Sequence, residues 1–142
     1  MGEHPWRRFR DEVEWVLLWG DLPPGIKGVT DWEARTVTLS RRLRQRERRC
    51  TIAHEHLHVT RGPVPDDPVS VAREEVAIER LVARALIPLA DLAEALAWAH
   101  SHDEAADELW VDSQTLAARL DHLHPSERAA LVRRLALRED SA

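Results

Sequence analysis

One short stretch, residues 51–59 (TIAHEHLHV), constrains this chain more than any other. It contains His54-Glu55-x-x-His58. In an α-helix, side chains four residues apart lie on the same face, so the two imidazoles can reach a single metal ion. Apolar residues bracket the motif, as expected for a helix that packs on the rest of a domain. The stretch therefore predicts a partly buried, zinc-binding helix.

The acid inside the motif has a different expected role. Glu55 lies about 100° around the helix from His54, so it flanks the metal ion rather than binding it. A carboxylate in that position suits a general base that takes a proton from a zinc-bound water. The alternative is a histidine-rich amphipathic helix in which His56 and one neighbour face water. A third ligand downstream would favour the metal site.

Residues 68–86 predict a second helix, with Asp67 as its cap and Pro68 in its first turn. Its apolar residues cover much of the circumference, which predicts a well-buried helix that ends before Pro88. Two of its acids, Glu75 and Glu79, lie one turn apart. Because a buried carboxylate is costly unless it is paired or bound to metal, these acids are candidate ligands.

In glutamate-type zinc peptidases, the helix after the motif supplies the third ligand and a second acid orients a ligand histidine. We therefore predict that Glu75 binds zinc and that Glu79 supports a histidine through its other ring nitrogen. Two alternatives stay open, exchanged roles for these two acids and a role for Glu74. A third alternative is ordinary ion pairing with nearby arginines, namely Arg73, Arg80 or Arg84.

The segment before the motif predicts a helix and then a hairpin. Apolar residues recur at helical spacing over residues 5–19, which indicates a helix. Residues 36–39 alternate and are β-branched, and residues 29–32 are their expected antiparallel neighbour. A strand beside a zinc helix can bind extended substrate by strand addition. The alternative is a hairpin that only covers the core.

Residues 41–49 include six arginines. Such a run is either a solvated surface or a basic rim that steers an acidic or nucleic-acid-associated partner. Cys50 follows it, and we expect a buried, inert thiol, with a fourth-ligand role as the alternative.

Length and composition bound the remaining possibilities. With 142 residues, we expect a core of residues 1–88 followed by a helical part of residues 89–142. The single cysteine excludes an internal disulfide and fits the reducing cytoplasm. The sequence has no signal peptide pattern and no apolar run long enough to span a membrane, so we expect a cytoplasmic protein.

Residues 105–123 have the outline of a DNA-binding helix-turn-helix. Between Leu89 and His122, however, there are eight acids and one base, Arg119. Phosphate would be repelled by this charge, so no direct DNA binding is expected.

Together these motifs resemble the ImmA/IrrE family of bacterial and phage metallo-endopeptidases. Residues 53–58 (AHEHLH) are similar to the family's A-H-E-x-x-H. The acidic helix that ends at Pro88 and the tail at residues 109–120 are similar to two further family motifs. The usual Glu-Ala-Asn is replaced by Ala-Ile-Glu at residues 77–79, and the following phenylalanine is Leu81. The chain has no tyrosine to stabilise an oxyanion.

The resemblance implies an α+β, zincin-like fold, in which a small antiparallel sheet packs on the zinc helix and a helical C-terminal part follows. It implies Zn²⁺ as cofactor, held by His54, His58 and Glu75, with Glu55 as catalytic base. The implied substrate is a cytosolic helix-turn-helix repressor that controls phage, mobile-element or stress genes. The alternative function is a non-catalytic partner of a repressor or a toxin–antitoxin pair, with structural zinc or none.

Overall fold

The computed structural model describes residues 4–141. Within that range the elements are α1 (Pro5–Arg10), β1 (Val16–Gly20), β2 (Gly28–Asp31), β3 (Thr36–Ser40), α2 (Gln45–Arg61), α3 (Pro68–Leu86), α4 (Leu89–Trp98), α5 (His102–Glu108), α6 (Ser113–Asp121) and α7 (Pro125–Ser141). The described residues form two compact units, His4–Val82 and a second that begins at Ala83. The α+β class is thus confirmed, while the predicted boundary after residue 88 stays a prediction.

The three strands form one sheet in the order β1-β3-β2. β2 pairs antiparallel with β3, as the hairpin prediction required, with Thr30 opposite Val37 and Gly28 opposite Leu39. β1 pairs parallel with β3, so the sheet is mixed rather than wholly antiparallel. Because β3 is the central strand, β2 is an edge strand with one neighbour.

The prediction of a single helix over residues 5–19 is wrong. The helix ends at Arg10, and residues 16–20 form β1 instead. Val16 to Trp19 are consecutive apolar residues, a pattern that fits a short strand as well as a helix. Pairing with β3 satisfies the backbone of this segment, which helical spacing alone did not reveal.

The core of the first unit lies between the sheet and α2. Val37 and Leu39 of β3 and Ile52 of α2 are all fully buried. Phe9 of α1 and Leu43, which precedes α2, complete this cluster. The packing fixes which side of α2 faces the sheet, and therefore which side carries the motif histidines.

α3 begins as predicted, because the Asp67 carboxylate accepts a hydrogen bond of 2.8 Å from the backbone N–H of Ser70. The prediction that α3 is well buried, with apolar residues covering much of its circumference, is wrong. Val71, Val76 and Leu81 are each at least 40% exposed. The buried residues lie on one side of the helix only, which is typical of an amphipathic helix.

The second unit consists of the end of α3 and the helices that follow it. Asp112 caps α6, as predicted, by accepting a hydrogen bond of 2.8 Å from the backbone N–H of Thr115. The Arg119 side chain is almost fully buried and donates to the backbone oxygen of Ile87 at 2.8 Å. Among the described residues, no helix has the length and apolar character that crossing a membrane requires.

Candidate metal centre

α2 brings two imidazoles together. His54 and His58 are one helical turn apart, and their ring centroids are 5.0 Å from each other. Their side chains are 23% and 22% exposed, so each ring is largely covered but still reachable from solvent. This is the same-face arrangement that the four-residue spacing predicts.

α3 supplies the third group. The two carboxylate oxygens of Glu75 lie 2.8 Å from Nε2 of His54 and 2.9 Å from Nε2 of His58. One nitrogen of each ring and one carboxylate oxygen lie within 4.8 Å of one another. Four ligands around a zinc ion with bonds of about 2.1 Å are about 3.4 Å apart, so small shifts bring these three groups to bonding distance. The donor set fits a divalent metal ion.

The neighbouring acids of α3 do not join this cluster. Glu74 instead pairs with Arg61, at the end of α2, and this hydrogen bond lowers the pKa of the Glu74 carboxyl. Among the residues described, no hydrogen bond or ion pair links Glu79 to either motif histidine. Glu75 thus differs from the other two acids in its closeness to both imidazoles and not in being more buried, since its side chain is 41% exposed.

Glu55 lies beside the cluster and is only 6% exposed. One of its carboxylate oxygens, Oε2, accepts a hydrogen bond of 2.6 Å from the Thr30 hydroxyl of β2. This contact brings the edge strand next to the candidate general base. The sequence predicted a strand beside the helix but not this contact, because the residue that faces Glu55 depends on the strand register.

The third histidine of α2 has a structural role. His56 is buried, its Nε2 lies 3.0 Å from a carboxylate oxygen of Glu12, and its ring makes an edge-to-face contact with that of Phe9. The interpretation in which His56 faces water is therefore wrong. Sequence reasoning missed this pair because Glu12 is 44 residues away and no local pattern connects the two positions.

Cys50 is a buried thiol and does not belong to the His54–His58–Glu75 group. One arginine of the basic run before it contacts the rest of the unit. The Arg48 guanidinium lies over the ring of Trp19 and donates to the backbone oxygen of Leu43 at 3.0 Å. Whether the remaining arginines steer a partner stays a prediction.

One family model matches the chain. It describes the IrrE N-terminal-like domain, Peptidase_M78, and covers residues 22–121, which include all of β2, β3, α2 and α3. Comparisons with curated proteins and with solved structures gave no match.

Proposed function

Since the chain belongs to the peptidase family of the IrrE N-terminal-like domain, we propose that it is a zinc-dependent endopeptidase. The observation that carries this proposal is the meeting of two imidazole nitrogens from α2 and the Glu75 carboxylate from α3. Three protein ligands of this kind leave a fourth position open, as catalytic zinc sites require.

Each residue has a defined part in the proposed hydrolysis. His54, His58 and Glu75 would hold the ion. When bound, the ion would act as a Lewis acid that lowers the pKa of a water and polarises a peptide carbonyl. Glu55 takes a proton from the attacking water, whose oxygen bonds to the carbonyl carbon. The peptide C–N bond then breaks, and Glu55 gives the proton to the leaving amine. The role predicted for Glu79, support of a ligand histidine, remains part of the proposal.

We place the substrate along β2. An edge strand has unpaired backbone groups that can bind an extended peptide by main-chain hydrogen bonds. The Thr30–Glu55 hydrogen bond supports this placement, because it shows that β2 runs directly beside the candidate base.

The proposed substrate is a cytosolic helix-turn-helix repressor of phage, mobile-element or stress genes. This part of the proposal depends on the family resemblance and not on the site. A repressor that is cut once needs little turnover, so slow cleavage of generic peptides is expected. The acidic charge between Leu89 and His122 supports recognition of a protein rather than of DNA.

The test measures zinc content and cleavage together. A peptide library from a digested bacterial proteome is incubated with the zinc-loaded protein, and products are identified by mass spectrometry. Glu55→Gln should keep wild-type zinc content but lose at least about a hundredfold in cleavage rate, because only the proton transfer is removed. His54→Ala should lose both zinc and cleavage.

Retention of zinc at wild-type stoichiometry by His54→Ala would refute the ligand assignment. Wild-type protein that binds a helix-turn-helix repressor without cutting it, and also cuts no library peptide, would support the non-catalytic alternative instead.

A further inference from the structure

Glu55 is the only acidic side chain among the buried residues that the structure describes. A buried carboxylate is costly unless hydrogen bonds satisfy it. The hydrogen bond found for it comes from the Thr30 hydroxyl, 2.6 Å from Oε2. The position of this carboxylate therefore depends on a single side chain of β2.

The strand register explains why Thr30 is available for this contact. Successive side chains of a strand point to opposite faces of the sheet. Gly28 and Thr30 lie opposite Leu39 and Val37, whose side chains are fully buried beneath α2. Gly28 and Thr30 are thus the two residues of β2 that face α2.

Gly28 provides space for the same side chain. A Cβ atom at this position would lie 3.0 Å from Cγ and 3.1 Å from Oε1 of Glu55, and 2.9 Å from a methyl carbon of Thr51. Its backbone does not adopt a positive φ angle, so the glycine is required for space and not for conformation. Any larger residue would have to shift the Thr51 methyl group, the Glu55 side chain or both.

We propose that Gly28 and Thr30 form a seat that positions Glu55 for proton transfer, with Thr30 as a positioning residue. Because Gly28 has no side chain, Cγ of Glu55 has room beside it, and the Thr30 hydroxyl donates a hydrogen bond to Oε2. Oε1 is thereby left as the oxygen that accepts the proton from the attacking water. The inference rests on the proposed endopeptidase function and adds to it that one strand aligns both the substrate and the base.

Replacing the hydroxyl tests the seat. Thr30→Val keeps the β-branched shape but removes the donor, whereas Thr30→Ser keeps the donor. On the library peptide that the wild type cleaves fastest, Thr30→Val should lower kcat about tenfold to a hundredfold, the effect of losing a hydrogen bond to a charged group. KM should stay within about twofold. Thr30→Ser should restore most of kcat, and Thr38→Val, the same change on β3, should leave both constants unchanged.

Filling the space gives a second test. Gly28→Ala should displace Glu55 and lower kcat in the same way as Thr30→Val. Gly20→Ala is the matched control, because its Cβ would crowd only a methyl carbon of Thr38, at 3.0 Å. Zinc content should be the same in all these variants, since none of the changed residues is a proposed ligand.

Crystal structures of the variants separate failure of the seat from failure of the proposed function. Thr30→Val should move the Glu55 carboxylate, and Thr30→Ser should leave it in place. An unmoved carboxylate in Thr30→Val would overturn the seat, as would a moved carboxylate with unchanged kcat. If the wild type cleaves nothing, the endopeptidase function fails, and with it the catalytic role of the seat, whatever the crystal structures show.

Discussion

At the scale of single residues, three histidines of one helix have two different roles. His54 and His58 face the Glu75 carboxylate, while His56 points to the other side of α2 and pairs with Glu12. The partly buried His56–Glu12 pair ties the segment before β1 to the back of the helix. It thereby helps to fix the rotation of α2 about its axis, on which the direction of the other two rings depends.

The choice between Glu74, Glu75 and Glu79 shows what sequence reasoning could reach at this scale. The motif located the zinc helix, and the acid arrangement of glutamate-type zinc peptidases favoured Glu75. Adjacent residues of a helix differ by about 100° in direction, so the face that meets α2 depends on how the two helices pack. That packing involves nonlocal contacts such as the Glu74–Arg61 pair, which the sequence pattern does not contain.

The hydrogen bonds that Glu127 accepts predict that the free energy of unfolding depends on pH. Hydrogen bonds from Arg119 and then Arg84 lower the pKa of Glu127 to about 2, from a usual value of 4.5. When the pKa of a carboxyl group is lower in the folded than in the unfolded protein, the group stabilises the fold. This contribution is complete at pH values above the pKa that the group has in the unfolded protein. That contribution is lost as the pH falls from about 4.5 to about 2. Glu127→Gln should therefore lower the free energy of unfolding at pH 7 by about 1.5 to 3 kcal/mol.

Urea unfolding between pH 7 and pH 3 measures this effect. The difference in free energy of unfolding between wild type and Glu127→Gln should become smaller as the pH falls through this range. Glu139→Gln, at an exposed site on the same helix, is the control. Its free energy of unfolding should match that of the wild type at each pH. A constant difference at every pH would contradict the assigned cause.

At the scale of elements, α2 is held by its contact with β3. Ile52 is fully buried against the core cluster, on the side of the helix that faces the sheet. Ile52→Ala should lower the free energy of unfolding by about 2 to 5 kcal/mol, because it removes buried methyl groups and leaves a cavity. Val13→Ala, at a side chain that is 90% exposed, should change it by less than about 0.5 kcal/mol. If thermal or urea unfolding showed equal losses of stability for Ile52→Ala and Val13→Ala, the contact between α2 and β3 would not be what holds α2 in place.

The elements that sequence reasoning predicted well have strong local signals. Asp67 and Asp112 cap their helices through side-chain hydrogen bonds, and proline marks the end of α3. β1 was missed because a short apolar run has no decisive period, and its partner strand lies about 20 residues away. The burial of α3 was overestimated because apolar residues also occur on exposed helix faces.

At the scale of the whole molecule, charge is unevenly distributed along the chain. The net charge is −5, yet six arginines lie within residues 41–49 and acids dominate from Leu89 to His122. We therefore predict that local charge, rather than the total, decides which partners each segment attracts. The family resemblance predicted the α+β class, and the four-residue spacing of His54 and His58 predicted that their rings lie together. The strand register that brings Thr30 to Glu55 depends on pairing between distant segments.

The most direct test of the metal centre is a crystal structure of the zinc-loaded protein with anomalous data at the zinc absorption edge. We expect one zinc peak at about 2.0 to 2.2 Å from Nε2 of His54, Nε2 of His58 and a carboxylate oxygen of Glu75. A peak whose third protein ligand is Glu74 or Glu79, or no peak between the two imidazoles, would contradict this assignment.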